Sequence, residues 1–250
     1  MSELVCKEIA VQDELSEDYD HIRYINEYSV MYQNTWFKTM ISLVGATGLI
    51  LDNGCGTGTL MEFLPTKDII GFDISSGMLN KAKKRMNILV RGDSQRLPFK
   101  DETFNTIVCR GVLHHLQDTK EGVIEMYRVL KKKGELVILE PIQSVLSTIP
   151  RKLIKGSEHF SEIHKDFKKK ELINVIQNKF RIEKIRHFGY IAYPLLGFPD
   201  VVDCFRYFRF KKQVASFLVD TDQLLQRIPM INTQSWGIII KASKQSGKRR

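Results

Sequence analysis

One stretch limits what this chain can fold into more than any other: LILDNGCGTGTL, from Leu49 to Leu60. Leu49, Ile50 and Leu51 read as the end of a buried parallel strand. Asp52 follows, then glycines at 54, 56 and 58. After them GTLMEFL reads as the first turns of a helix. A strand that passes through glycines into a helix makes a ligand site by geometry. Residues without a Cβ let the backbone approach a ligand, and the unpaired N–H groups of the helix start face it.

The spacing separates two ligand classes. In G-x-G-x-x-G the helix start receives a pyrophosphate. Here the third glycine comes one residue early, and a carboxylate stands two positions before the first. Asp52 would repel a pyrophosphate and attract an ammonium group. The second strand, DIIGFDIS (68–75), ends in Asp73, 15 residues after Gly58. A carboxylate there can accept from both hydroxyls of a ribose. It can also cap the next helix, but Ser75 or Ser76 already serves that end. A third strand, ILVRG (88–92), leads to Asp93 and a turn containing Pro98. The fourth spans about Phe104 to Arg110. Strand ends in an open α/β sheet face the ligand crevice, so Arg110, Gly111 and Val112 belong to it. His114 and His115 include a candidate general base; the favoured reading has one cap the following helix and the other pack. Residues 118–141 read as a helix, a turn at Gly134 and a fifth strand ending in Glu140. Lys131, Lys132 and Lys133 read as a solvated helix end.

These motifs together resemble class I S-adenosylmethionine (SAM) methyltransferases of the small-molecule type. The resemblance rests on Asp-x-Gly-x-Gly-x-Gly at 52–58, and on Asp93-Ser94 followed by Leu97-Pro98-Phe99. It also rests on Leu113-His114-His115-Leu116, and on Arg128-Val129-Leu130 ahead of a glycine and an apolar strand. It covers roughly residues 45–141. One departure is Asn105, where the family commonly has aspartate. The resemblance implies an α/β fold: a seven-stranded, mostly parallel sheet with helices on both faces, the last strand antiparallel. It implies that SAM, leaving as S-adenosylhomocysteine, is bound by Asp52, Gly54, Cys55, Gly56, Gly58, Asp73, Ile74, Asp93, Ser94, Arg110 and Gly111. Within that set Asp52 and the glycine loop take the methionine end, Asp73 the ribose and Asp93 the adenine. His159, His164 and Asp166 fall in a segment that lines the acceptor pocket in many relatives. If the acceptor is a hydroxyl, His115 or His164 is the candidate catalytic base; an amine or carbanion acceptor needs none.

Composition narrows the function classes. A chain of 250 residues fits one domain with elaborations. Cys6, Cys55, Cys109 and Cys204 have no paired spacing, which argues against a disulfide framework or a metal site and for a reducing, cytoplasmic setting. The acidic start of the chain does not read as a signal peptide, and no apolar run approaches the roughly 20 residues of a membrane span. The net charge of +9 is spread along the chain, so a nucleic-acid partner is disfavoured. Cys109-Arg110-Gly111-Val112 stands where amino-methyltransferases of nucleic acids carry Asn/Asp-Pro-Pro-aromatic. Cys55 and Cys109 are too few for an arsenic methyltransferase. The glycine spacing and Asp52 disfavour a nicotinamide dehydrogenase. Methyl transfer to a small or lipophilic acceptor, at oxygen or nitrogen, leads; methylation of RNA or protein, or SAM binding without catalysis, is the alternative.

The parts outside the core are read as follows. Residues 1–45 form an N-terminal helical lid. Tyr24, Tyr28 and Tyr32 recur every four residues and share a helix face, packed on the domain or covering the cofactor. A helix over 34–45 is capped by Asn34 or Thr35 and ended by Gly45. Residues 46–188 are the SAM-binding core, with 142–178 on the acceptor side and a sixth strand at 180–188. Residues 189–234 are an aromatic-rich cap insertion. There Phe205, Tyr207, Phe208 and Phe210, interleaved with Arg206, Arg209, Lys211 and Lys212, also suit peripheral contact with a membrane. Residues 235–250 hold the last strand and a basic tail.

Overall fold

The computed structural model describes residues 2–24, 27–45, 48–64, 66–145, 147, 167–197 and 208–245. Its centre is a seven-stranded sheet: β1 (Ile50–Asn53), β2 (Ile69–Asp73), β3 (Leu89–Arg91), β4 (Phe104–Arg110), β5 (Leu130–Pro141), β6 (Phe180–Phe188) and β7 (Gly237–Lys244). Strand order is β3-β2-β1-β4-β5-β7-β6. β1 to β5 run parallel; β7 lies antiparallel between β5 and β6. The expected mostly parallel sheet with an antiparallel last strand is present.

The strands alternate between two cores, as a period of two requires. Leu51, Ile107, Leu136, Ile138 and Ile240 face one side. There they meet α5 (Thr119–Val129) and α6 (Lys169–Gln177) through Val123, Met126, Leu172 and Ile176. Ile50, Val108, Val137 and Ile239 face the other. They meet α3 (Glu27–Ile41), α4 (Ser76–Ala82), α7 (Ala192–Leu196) and α8 (Lys211–Leu225). A 14-residue helix, α1 (Glu3–Ser16), and a short one, α2 (Tyr19–Arg23), precede these. Each fully buried aliphatic side chain contributes about 2 kcal/mol.

The sheet order reverses between β1 and β4, so their C-terminal ends diverge into a crevice at the switch point. Register keeps those ends level: Asn53 pairs with Phe72 on one side and Cys109 on the other.

Several local expectations are corrected. α3 begins at Glu27, so Asn34 and Thr35 are interior rather than capping residues. Thr35 Oγ1 instead donates to Met31 O at 3.0 Å, satisfying its hydroxyl within the helix. Tyr24 lies before α3 and does not share its face with Tyr28 and Tyr32. The glycine loop leads into one short 3-10 segment, Thr59–Phe63, which ends where Leu64 takes an extended conformation. The lysines at 131–133 belong to β5, not to a helix end; Lys131 Nζ donates to Asn105 Oδ1 at 2.9 Å. Asn105 therefore fills a polar role where the family has aspartate; its Oδ1 also accepts Leu49 N–H at 3.2 Å. Among the described residues no helix is long and apolar enough to cross a membrane.

Candidate functional site

The strand ends bring Asp52, Asp73 and Arg110 to one crevice with the glycine loop. Gly54, Gly56 and Gly58 have φ of 77°, 53° and 80°. Gly56 N–H donates to Asp73 Oδ2 at 2.8 Å, and Ser75 N–H to Asp73 Oδ1 at 2.9 Å. Both Asp73 oxygens keep a lone pair for another donor. Burial raises the Asp73 carboxyl above the ordinary range, against the pull of those N–H groups. A Cβ placed on Gly56 would meet no atom within 4 Å, so the loop lines open space.

Asp52 is buried, and its Oδ2 has no hydrogen-bond partner. Burial pushes its carboxyl up to about 7; the Arg110 cation opposes this and Asp73 adds to it. A buried carboxylate oxygen without a hydrogen-bond partner, on the strand that runs into the glycine loop, fits an ammonium-bearing ligand. Neighbouring Asn53 accepts Ser94 Oγ–H on its Oδ1 at 2.7 Å, tying β1 to the loop after β3. Asp93, in that loop, accepts Gln95 N–H at 2.8 Å. Ile74 is half-buried next to Asp73, and its carbonyl accepts from Arg91 Nε at 3.1 Å. Gly111 has φ of 64°, and its N–H donates to Leu139 O at 2.8 Å. Burial drives the Cys55 and Cys109 thiols far up, which leaves neither available as a thiolate.

Residues 2–24 lie across this crevice. Asp13 accepts Gly77 N–H at 2.9 Å and the hydroxyls of Ser75 and Ser76, at the start of α4. Burial works against its charge, yet those hydrogen bonds hold Asp13 below the usual carboxylate range. A side chain at Gly77 would collide with Ser16, so glycine permits the close approach of α1. Asp20 accepts Thr57 Oγ1–H at 2.6 Å and Arg85 Nη1–H at 2.9 Å. Tyr24 Oη lies 3.0 Å from Thr59 Oγ1. Arg110 sits 4.9 Å from the centroid of the Phe37 ring and hydrogen-bonds Tyr19. Asp13 and Asp20 had no signal in the sequence beyond a generally acidic start.

The histidines are engaged differently from expectation. Neither caps α5: Asp118 does, accepting Lys120 N–H at 2.9 Å. His114 Nδ1 lies 2.6 Å from Glu140 Oε2, while Glu140 Oε1 accepts the N–H groups of Val112 and Leu113 at 2.8 Å. Burial pushes Glu140 up to about 7 against those N–H groups. His115 Nδ1 lies 3.1 Å from Glu8 Oε1 on α1, and its ring is 4.0 Å from that of His114. An acidic residue closing the apolar strand Val137-Ile138-Leu139 was the signal for Glu140; Glu8 offered none. His159, His164 and Asp166, with Phe205, Arg206 and Tyr207, lie outside the described residues.

On the far side of α3, Asp222 of α8 is buried. It accepts the N–H groups of Tyr190, Ile191 and Ala192 at 2.8–3.0 Å and the Tyr32 hydroxyl at 3.3 Å. This one carboxylate joins α3, α7 and α8.

Comparison with known families matches residues 51–138 to a methyltransferase domain. Residues 51–138 are a class I SAM-dependent methyltransferase domain. Among curated relatives of this domain, a demethylmenaquinone methyltransferase of Thermotoga maritima is 34% identical over 136 residues, 51% of this chain and 58% of that protein. The chain thus spans little more than half the length of that relative. Solved methyltransferases share the fold more widely. A SAM-dependent methyltransferase from Thermotoga maritima superposes with a TM-score of 0.66 at 19% identity, covering 95% of this chain and all of the other. The N-methyltransferase NodS from Bradyrhizobium japonicum, bound to S-adenosylhomocysteine, gives 0.61 at 15% identity, covering 95% and 98%.

Proposed function

We propose that this chain transfers a methyl group from SAM to a lipophilic small-molecule acceptor of the demethylmenaquinone kind. The observation that carries the first half is the buried Asp52 oxygen without a hydrogen-bond partner, on the strand that runs into the glycine loop. Curated relatives named demethylmenaquinone methyltransferases support the second half. SAM supplies an activated methyl on a sulfonium, transferred by in-line displacement.

The chain's own residues bind and orient. Asp52 takes the methionine ammonium and Arg110 its carboxylate, a complementary pair within one crevice. The backbone of Gly54 to Gly58, with Cys55, approaches the ligand at Gly56, where a Cβ would meet nothing within 4 Å. Asp73 accepts from the ribose, and Asp93 with Ser94 and Ile74 surrounds the adenine. Gly111 admits the methionine end beside β4. Residues 2–24 then cover the crevice and exclude water. Where an acceptor proton must leave, His115 is the base, held in orientation by Glu8 as carboxylates orient imidazoles elsewhere. His164, outside the described residues, is a second candidate by sequence. Catalysis here is chiefly positioning. A lipophilic acceptor resides in a bilayer, so the chain works at a membrane surface, peripherally.

The test is transfer from methyl-labelled SAM to total extract, followed by partition. Label in an organic-soluble product is expected. Label confined to protein or RNA overturns the proposal.

A further inference from the structure

We propose that the outward face of α8 and the turn after it dock this protein on an anionic lipid surface. The purpose of that docking rests on the lipophilic-acceptor reading; the surface itself is read from geometry.

α8 is apolar on two opposite sides. Ala215, Val219 and Asp222, at i, i+4 and i+7, are buried against α3 and α7. Phe210 stands at the N-terminal cap of the helix, and Phe217 and Leu224, seven residues apart, lie about 180–200° around it from that buried face. They are 61%, 68% and 61% exposed. Ile228 and Met230 extend the stripe, and Met230 is 85% exposed. A helix on a water-facing surface ordinarily places polar groups opposite its core side. Here Phe217 and Leu224 stand there instead, with Asp220 and Thr221 between them in sequence, and the turn of Ile228 and Met230 adds further exposed apolar surface of the kind that marks an interaction site.

Charge identifies the occupant. Within residues 208–230 the cations are Arg209, Lys211, Lys212 and Arg227, flanking both ends of the stripe. The only solvent-exposed carboxylate in that span is Asp220, because Asp222 is buried. Aromatic and aliphatic side chains that enter a headgroup boundary, with cations level with the phosphates, form the pattern of an interfacial helix. A second copy of this chain fits poorly. A twofold contact through the stripe would set these cations against their own kind. The Lys211 end of α8 is also its N-terminus, where the helix dipole adds to the positive field.

The test uses the full chain and vesicle sedimentation. Phosphatidylglycerol-containing vesicles are expected to bind it at least ten-fold more strongly than pure phosphatidylcholine, and binding should fall with salt. The double variant Phe217→Ser, Leu224→Ser should lose at least ten-fold. Lys211→Glu with Lys212→Glu should lose roughly five-fold or more per cation. Both should keep wild-type SAM affinity and circular dichroism, since neither pair belongs to the cofactor site or the core. Wild-type protein that ignores anionic vesicles, or variants that bind like wild type, overturn the proposal. So does a concentration-dependent dimer that the Phe217→Ser, Leu224→Ser change abolishes while vesicles remain unbound. Vesicle binding without methyl transfer to any organic-soluble acceptor leaves the docking surface standing and removes the acceptor assignment instead.

Discussion

Asp52 carries the most testable chemistry at the scale of single residues. Its folded-state carboxyl titrates near 7, well above the ordinary 3.8. The folded chain therefore keeps a proton that the unfolded chain releases. From this group alone, stability is fullest below pH 3.8 and declines as pH rises through 7. An ammonium ligand prefers the ionised form, so its binding at pH 6 should expel a proton. SAM affinity should rise with pH up to about 7, and calorimetry in two buffers of different ionisation enthalpy should show proton release at pH 6 that fades by pH 8. Asp52→Asn should abolish that release and weaken SAM by roughly 30-fold, about 2 kcal/mol. Asp52 and Asp73 were legible in the sequence because an acidic residue ending an apolar strand is conspicuous. The partner of His115 was not. Glu8 is more than a hundred residues away in the chain, and only the fold brings it to the crevice.

Among the elements, the strands and α5 announced themselves through alternation and helical spacing, whereas the cap of α5 is Asp118 and not the histidine expected there. The helix starts near residues 34 and 59 misled, because a capping residue or a glycine loop signals only that a helix can begin there. In α3 the buried Tyr32, Trp36 and Met40 extend the helix back through Asn34. Residues 2–24 are joined to the core mainly by polar contacts, from Asp13, Asp20 and Glu8. Such contacts open more readily than apolar packing. Asp13→Ala should leave the melting temperature nearly unchanged while accelerating proteolysis within residues 1–24 several-fold, read by limited digestion with and without SAM. Asp222 is the opposite case. Asp222→Ala strips one hydroxyl and three backbone N–H donors of their acceptor in a buried place, and should cost about 3 kcal/mol in denaturant unfolding. Asp222→Asn, which keeps an acceptor oxygen, should cost less than half of that.

Taken as a whole molecule, the protein should couple folding to its cofactor. A ligand at a hundred times its dissociation constant stabilises the native state by about 2.7 kcal/mol. For a chain of this size that raises the melting temperature by roughly 5–10 °C, and calorimetric scans with SAM should show it. The same scan on Asp52→Asn at equal SAM should show much less. The α/β sheet was legible because its parallel strands are short apolar runs between turn signals. The segment between β6 and β7 was not, since its composition suits a cap and a membrane contact equally, and only the three-dimensional placement of Phe217 and Leu224 distinguishes its two sides.

The ends of that segment meet. Trp236 N–H donates to Gly189 O at 2.8 Å, and Phe188 pairs with Gly237 across the edge of the sheet. The chain thus leaves the sheet and rejoins it at one hydrogen-bonded doorway. Lengthening or shortening a loop whose ends already coincide changes its closure entropy only logarithmically. The piece between the doorposts is pinned from within as well, because Asp222 accepts from Tyr190, Ile191 and Ala192 at its start and from Tyr32 of α3. Changes of length there are therefore cheap only where they leave that carboxylate and its four donors in place.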